Sequence, residues 1–229
     1  MAGEPSAATM APRLGEYPKL LSIRAPVKLG HRKRRIGLPL FREARYLCPM
    51  AEIIPVNYRD DILPRYRDTP VGLLLEYHNL GRAIGSASAP QLLIGMCMDS
   101  RKALRIPNDF AFVLRTAGAN MRDNEFRISY AIAVGGVRSI VLIAHTDCGM
   151  AQLEPRREQF IDGMVKNAGW DRDRAARHFA DSAPKFGIRD EVGFVLGEAD
   201  RLRNIYPKIF VAPLLYRVED DLLYQLEAS

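Results

Sequence analysis

The chain has 229 residues, 48% of them apolar and without extreme bias, so one globular domain plus a tail is expected. No apolar run approaches the ~20 residues a bilayer span needs, which predicts a soluble protein with no membrane partner. Its three cysteines, Cys48, Cys97 and Cys148, make no disulfide framework; thiols used as ligands suit a reducing compartment, here the cytoplasm.

The net charge of +6 is unevenly placed. Residues 1–49 hold ten Lys/Arg and three Asp/Glu, a net of +7, so residues 50–229 carry −1. The leader contains six prolines, the dense run His31-Arg-Lys-Arg-Arg35, and neither helical nor alternating periodicity. A solvated, disordered tail is the expected state. An anionic-surface or nucleic-acid arm, a targeting peptide and a dimer-wrapping segment are the functional alternatives. Nucleic acid is not expected as a partner of the near-neutral body. Met50-Ala-Glu-Ile-Ile-Pro opens the ordered-looking sequence, so Met50 is a candidate natural start and 50–229 the candidate folded domain.

Thr69-Pro70 supplies an N-cap and first-turn pair for a helix running to about Leu80. His78 lies on it with no Cys, His or acidic partner in register, which predicts a helix-surface or interface residue. Gly85–Pro90 breaks the chain before an apolar run, Leu92–Cys97. Phe110–Arg115 predicts a second short buried strand, Glu125–Val134 a helix, and Ser139–Ala144 a third strand. Gly135-Gly136 follows a helix rather than a strand, which is the wrong order for a phosphate cradle. Helices are expected over 152–167, 172–180 and 190–206, with Trp170 and His178 in structural roles. A strand over 208–216 and a last edge strand over 218–226 complete the chain. Pro213 suits an irregular or edge position. Alternating strands and helices predict an α/β fold, with a mainly parallel sheet flanked by helices.

Two strand exits carry the chemistry. The first reads Cys97-Met-Asp99-Ser-Arg101; if the strand continues through it, Cys97, Asp99 and Arg101 alternate onto one face. The second reads His145-Thr-Asp147-Cys148-Gly149. Two thiolates and an imidazole, Cys97, Cys148 and His145, form a tetrahedral Zn²⁺ set with one position left for water or a carboxylate. Thiolates donate more charge than imidazoles, so activity is expected to rise toward alkaline pH. A closed zinc staple with Asp99 as fourth ligand is the structural alternative. Thiol redox chemistry lacks its Cys-x-x-Cys spacing.

Cys-x-Asp-Ser-Arg, then Arg115-Thr-Ala-Gly118, then His-Thr-Asp-Cys-Gly resembles the β-class carbonic anhydrases, from about Thr69 onward. The resemblance implies reversible hydration of carbon dioxide to bicarbonate and a proton by zinc-bound hydroxide, in a homodimer or higher homo-oligomer joined through the sheet. It implies that Asp99 is a gate: paired with Arg101 it leaves the metal open, and freed it closes the site. Gly118 is expected to allow close approach at the substrate position. The same site suits carbonyl sulfide or carbon disulfide, and a protein that keeps zinc without catalysis is the non-enzyme alternative. Ser88-Ala-Pro90, Thr116 and Ala119 depart from the family pattern in the substrate pocket and leave the metal shell intact.

Overall fold

A computed structural model describes residues 51–228; the expectations for the leader and for Met50 lie outside them. Six strands form one sheet in the order β1-β6-β5-β4-β2-β3. They are β1 (Glu52–Ile54), β2 (Leu92–Cys97), β3 (Ala111–Thr116), β4 (Ser139–His145), β5 (Phe210–Arg217) and β6 (Leu222–Glu227). Strands β3, β2, β4 and β5 pair in parallel, while β6 and then β1 add antiparallel. The fold is therefore α/β around a mixed sheet whose central part is parallel, as the strand–helix alternation predicts.

Every residue of β2 and β4 is buried, the pattern of strands covered on both faces. Side-chain alternation divides them between two cores. Leu92, Ile94, Met96, Val141 and Ile143 pack with Val71, Leu74 and Leu75 of helix α1 (Pro70–Leu80). Leu93, Ile140, Leu142 and Ala144 face the other way, against Ile128 of α2 (Glu125–Ala133) and Val195, Ala199 and Leu202 of α5 (Glu191–Ile205). Helix α1 starts where expected: Thr69 Oγ1 accepts the Val71 and Gly72 N–H groups at 3.2 and 3.4 Å, and Gly81 ends it in the left-handed region.

Several expectations need correction. The segment before the next helix is two short 3-10 turns, Gly149–Gln152 and Glu154–Arg156, so α3 spans only Arg157–Ala168. Helix α4 runs on to Phe186 and takes Pro184 into its last turn. Strand β3 is half-buried because it is the sheet edge. Strand β6 is not an edge, because β1 covers it. Pro213 sits in an interior strand opposite Leu142. The antiparallel ladder to β6 begins only at Leu214, so Pro213 stands at that ladder's end, where a missing N–H costs least. His78 is buried, not on the surface. Its Nδ1 accepts the Arg105 N–H at 3.0 Å, so Nε2–H donates to the Asp221 carbonyl at 2.9 Å. His78 thus ties α1 to two loops.

Candidate metal centre

Parallel pairing brings the carboxyl ends of β2 and β4 side by side, at the rim where open α/β sheets place their sites. Cys97 and His145 are the last residues of those strands, and Cys148 follows a tight turn. Asp147 adopts φ 54° in that turn, a region short polar side chains tolerate. The Cys97 and Cys148 sulfurs are 3.9 Å apart, and one ligand atom from each of Cys97, His145 and Cys148 lies within 4.8 Å of the others. Two sulfurs each about 2.3 Å from a tetrahedral zinc would stand roughly 3.8 Å apart.

The hydrogen bonds prepare the histidine as a ligand. His145 Nδ1 lies 2.9 Å from the Thr146 carbonyl, which can only accept. The proton is therefore on Nδ1, and the lone pair is on Nε2. Nε2 is buried and has no partner. A buried acceptor left unsatisfied is costly, and a metal between it and the two sulfurs accounts for it. The donor set fits the ion that its chemistry suggests.

The thiols are an asymmetric pair. A hydrogen bond from Cys148 lowers the Cys97 pKa most, helped by backbone donors at Asp99 and Gly118, against the cost of burial. The same Cys148–Cys97 bond and burial raise Cys148. Ile188 closes an apolar cluster around both sulfurs, with Met150 and Phe194 packed against it.

Strand β2 stops at Cys97, so Asp99 and Arg101 do not continue its alternation. A turn brings Arg101 back onto Asp99 instead. The guanidinium donates to the two Asp99 oxygens from Nε at 3.1 Å and Nη2 at 2.8 Å. Its Nη1 donates to the Asp147 carboxylate at 2.7 Å, and Nη2 also reaches the Asp147 carbonyl at 2.8 Å. Arg101 thereby clamps the two ligand-bearing loops together. Its hydrogen bonds hold the Asp99 carboxyl well below the usual range. Asp99 Oδ2 lies 3.9 Å from His145 Nε2, close enough for a small rotation to bring it into the cluster.

Gly118 has φ +59°, and a Cβ there would approach Met150 Cβ and Ile188 Cδ1 to 3.3 Å. Its neighbour Ala119 also has positive φ, at 61°, which is strained for alanine. All six residues singled out in the sequence therefore lie together. Sequence reasoning missed two others. Glu191, the first residue of α5, accepts the Cys148 N–H at 2.9 Å. Lys102 is buried directly after Arg101. Glu191 is 43 positions from its partner, and Lys102 reads as an ordinary surface lysine, so neither left a local signal.

An α/β sheet with a Cys-His-Cys cluster at its carboxyl rim defines a class of metal-site proteins, and comparison with known proteins narrows it. Residues 92–193 match the family model described as carbonic anhydrase. The β-carbonic anhydrase isoform I of Trichomonas vaginalis superposes with a TM-score of 0.52 at 19% identity, over 67% of this chain and 92% of that one. A carbon disulfide hydrolase from Acidianus sp. is 35% identical over 99 residues, and one from Saccharolobus solfataricus 34% over 98. Each alignment covers 40% of this chain, which spans about half (48%) the length of those curated relatives. The segment that carries the site therefore resembles the carbonic anhydrases in sequence, and the fold is that of the β-carbonic anhydrases.

Proposed function

We propose that the protein is a zinc enzyme that reversibly hydrates carbon dioxide to bicarbonate and a proton. The observation that carries this reading is the unpartnered, buried His145 Nε2 beside two sulfurs and an Arg-held carboxylate. Cys97, His145 and Cys148 would hold the ion. Zinc, when bound, supplies a Lewis acid that acidifies water at near-neutral to alkaline pH.

The chain's own residues do the rest. Arg101 keeps Asp99 ionised and turned away from the cluster. Asp99 then accepts a hydrogen bond from the attacking water and aims its lone pair at the substrate carbon. Without Arg101, the same carboxylate would rotate across the 3.9 Å to the cluster and block it. Ile188, Phe194 and Met150 exclude bulk water from the sulfurs. Gly118, with no side chain, lets Met150 and Ile188 pack close beside the cluster.

A second reading, hydrolysis of carbon disulfide or carbonyl sulfide, draws support from the names of the two curated relatives. Stopped-flow carbon dioxide hydration beside carbon disulfide and carbonyl sulfide hydrolysis, on zinc-loaded protein, separates the readings. Turnover of the sulfur substrates alone would replace the first with the second. Absence of all three activities would leave a zinc-binding protein without catalysis.

We infer a homodimer as well. Edge strand β3 is exposed at Val113, and α2 with its C-cap residue Val134 presents Phe126, Tyr130 and Val134 to solvent at four-residue spacing, an apolar stripe a partner would cover. A monomer in analytical ultracentrifugation would count against it. Residues 50–229 are proposed as the functional domain, acting in the cytoplasm, where its thiols stay reduced. None of the helices among the described residues is long and apolar enough to cross a membrane.

A further inference from the structure

Three buried side-chain atoms among the described residues have no hydrogen-bond partner: His145 Nε2, Thr116 Oγ1 and Lys102 Nζ. A metal accounts for the first. Thr116 lies opposite Cys97 in the β2–β3 register. Nothing in the proposed mechanism uses the third. Lys102 is only 4% exposed, and an ammonium without water or acceptor is among the costliest groups a fold can bury.

Both neighbours of Lys102 are held in place. Arg101 is bound to Asp99 and Asp147. Ala103 donates its N–H to the Tyr216 hydroxyl at 3.1 Å, and Tyr216 lies opposite His145 in the β4–β5 register. Burial pushes the Lys102 ammonium down most and Arg115 adds to that, while the negative charges of Cys97, Asp99 and Cys148 act to keep it protonated. Asp99 already has its cation in Arg101. The two sulfurs do not.

Charge balance then gives the lysine a use. A dipositive ion held by two thiolates and a neutral imidazole is formally neutral. A neutral fourth ligand keeps it so, whereas an anion leaves one buried negative charge. We propose that Lys102 is a positioning residue that biases the metal cluster toward small monoanions, the class containing bicarbonate and hydrosulfide, over neutral ligands. The proposal rests on the reading that Cys97, His145 and Cys148 hold a metal. It extends that reading to a residue that is not a ligand and whose charge acts at a distance.

The test uses the full chain loaded with cobalt(II), whose visible absorption reports its fourth ligand. Azide serves as the small monoanion and imidazole as the neutral ligand. Lys102→Met should weaken azide binding by about tenfold or more, since a buried unit charge is lost near the site, and leave imidazole binding unchanged. Lys102→Arg keeps the charge and should restore azide binding. Wild-type azide affinity in Lys102→Met overturns the proposal. So does an equal loss for both ligands, which marks a merely structural residue. Should Lys102→Met fold poorly, Lys102→Gln is judged by the same two criteria. A wild-type chain that takes up no cobalt removes the metal assignment, and this proposal with it.

Discussion

Replacing Glu191 should loosen the metal centre without touching a ligand. Its carboxylate accepts the Cys148 N–H at 2.9 Å, and Cys148 is 4% exposed. Glu191→Ala leaves that buried donor unsatisfied, which costs about 1–3 kcal/mol. The cost falls on the loop conformation that presents the Cys148 sulfur to the cluster. At about 1.4 kcal/mol per factor of ten, zinc affinity should drop roughly tenfold to a hundredfold. Glu191→Gln keeps an acceptor oxygen in place and should recover most of the loss. The assay is competition for zinc against a chromophoric chelator at fixed pH. Glu191 also opens α5, where a carboxylate favours the helix, so far-UV circular dichroism of both variants separates a loss of helix from a loss at the cluster. If Glu191→Ala binds zinc as tightly as wild type, the N–H bond does not organise the cluster. If glutamine is as weak as alanine, the charge matters and the hydrogen bond does not.

Purified protein should hold about one zinc per chain, and Cys97→Ser, His145→Ala or Cys148→Ser should each release most of it by elemental analysis; full retention in all three would end the assignment. Arg101→Ala should abolish turnover while zinc content stays near normal, because Asp99 fills the open position; wild-type turnover in that variant would remove the gate. His78 is neutral in the fold, since burial lowers its pKa most, with the Arg105 charge adding to the effect. The unfolded chain takes up that proton below about pH 6.5, so stability should fall as pH drops through that value. Denaturant titrations should show a shallower acid slope for His78→Gln than for wild type, and equal slopes would count against this account. A chain beginning at Met50 should fold and keep its zinc, because every element of the described fold lies within Glu52–Glu227; an insoluble or zinc-free product would assign the leader to the folded unit.

Local sequence determined the parts of this protein that depend on neighbours in the chain. Thr69-Pro70 could cap a helix whatever it packed on, and the apolar runs ending at Cys97 and Ala144 already had strand character. The Cys-His-Cys cluster was legible for the same reason: each of its residues closes a strand or its turn, so parallel pairing brings the three together. Tertiary structure decided what depends on distant partners. Whether β6 was an edge depended on β1, roughly 170 positions earlier. Pro213 could enter an interior strand because the ladder to β6 begins one residue later. His78 became a buried tie only when Asp221 and Arg105 arrived at its two nitrogens. Arg101 pairs with Asp99 because the strand stops at Cys97 and the chain turns, and its grip on Asp147 requires β4 beside β2. Lys102 carries no local mark of burial. Long-range packing strips its ammonium of water, and a hydrophobic pattern records only which side chains prefer to be dry.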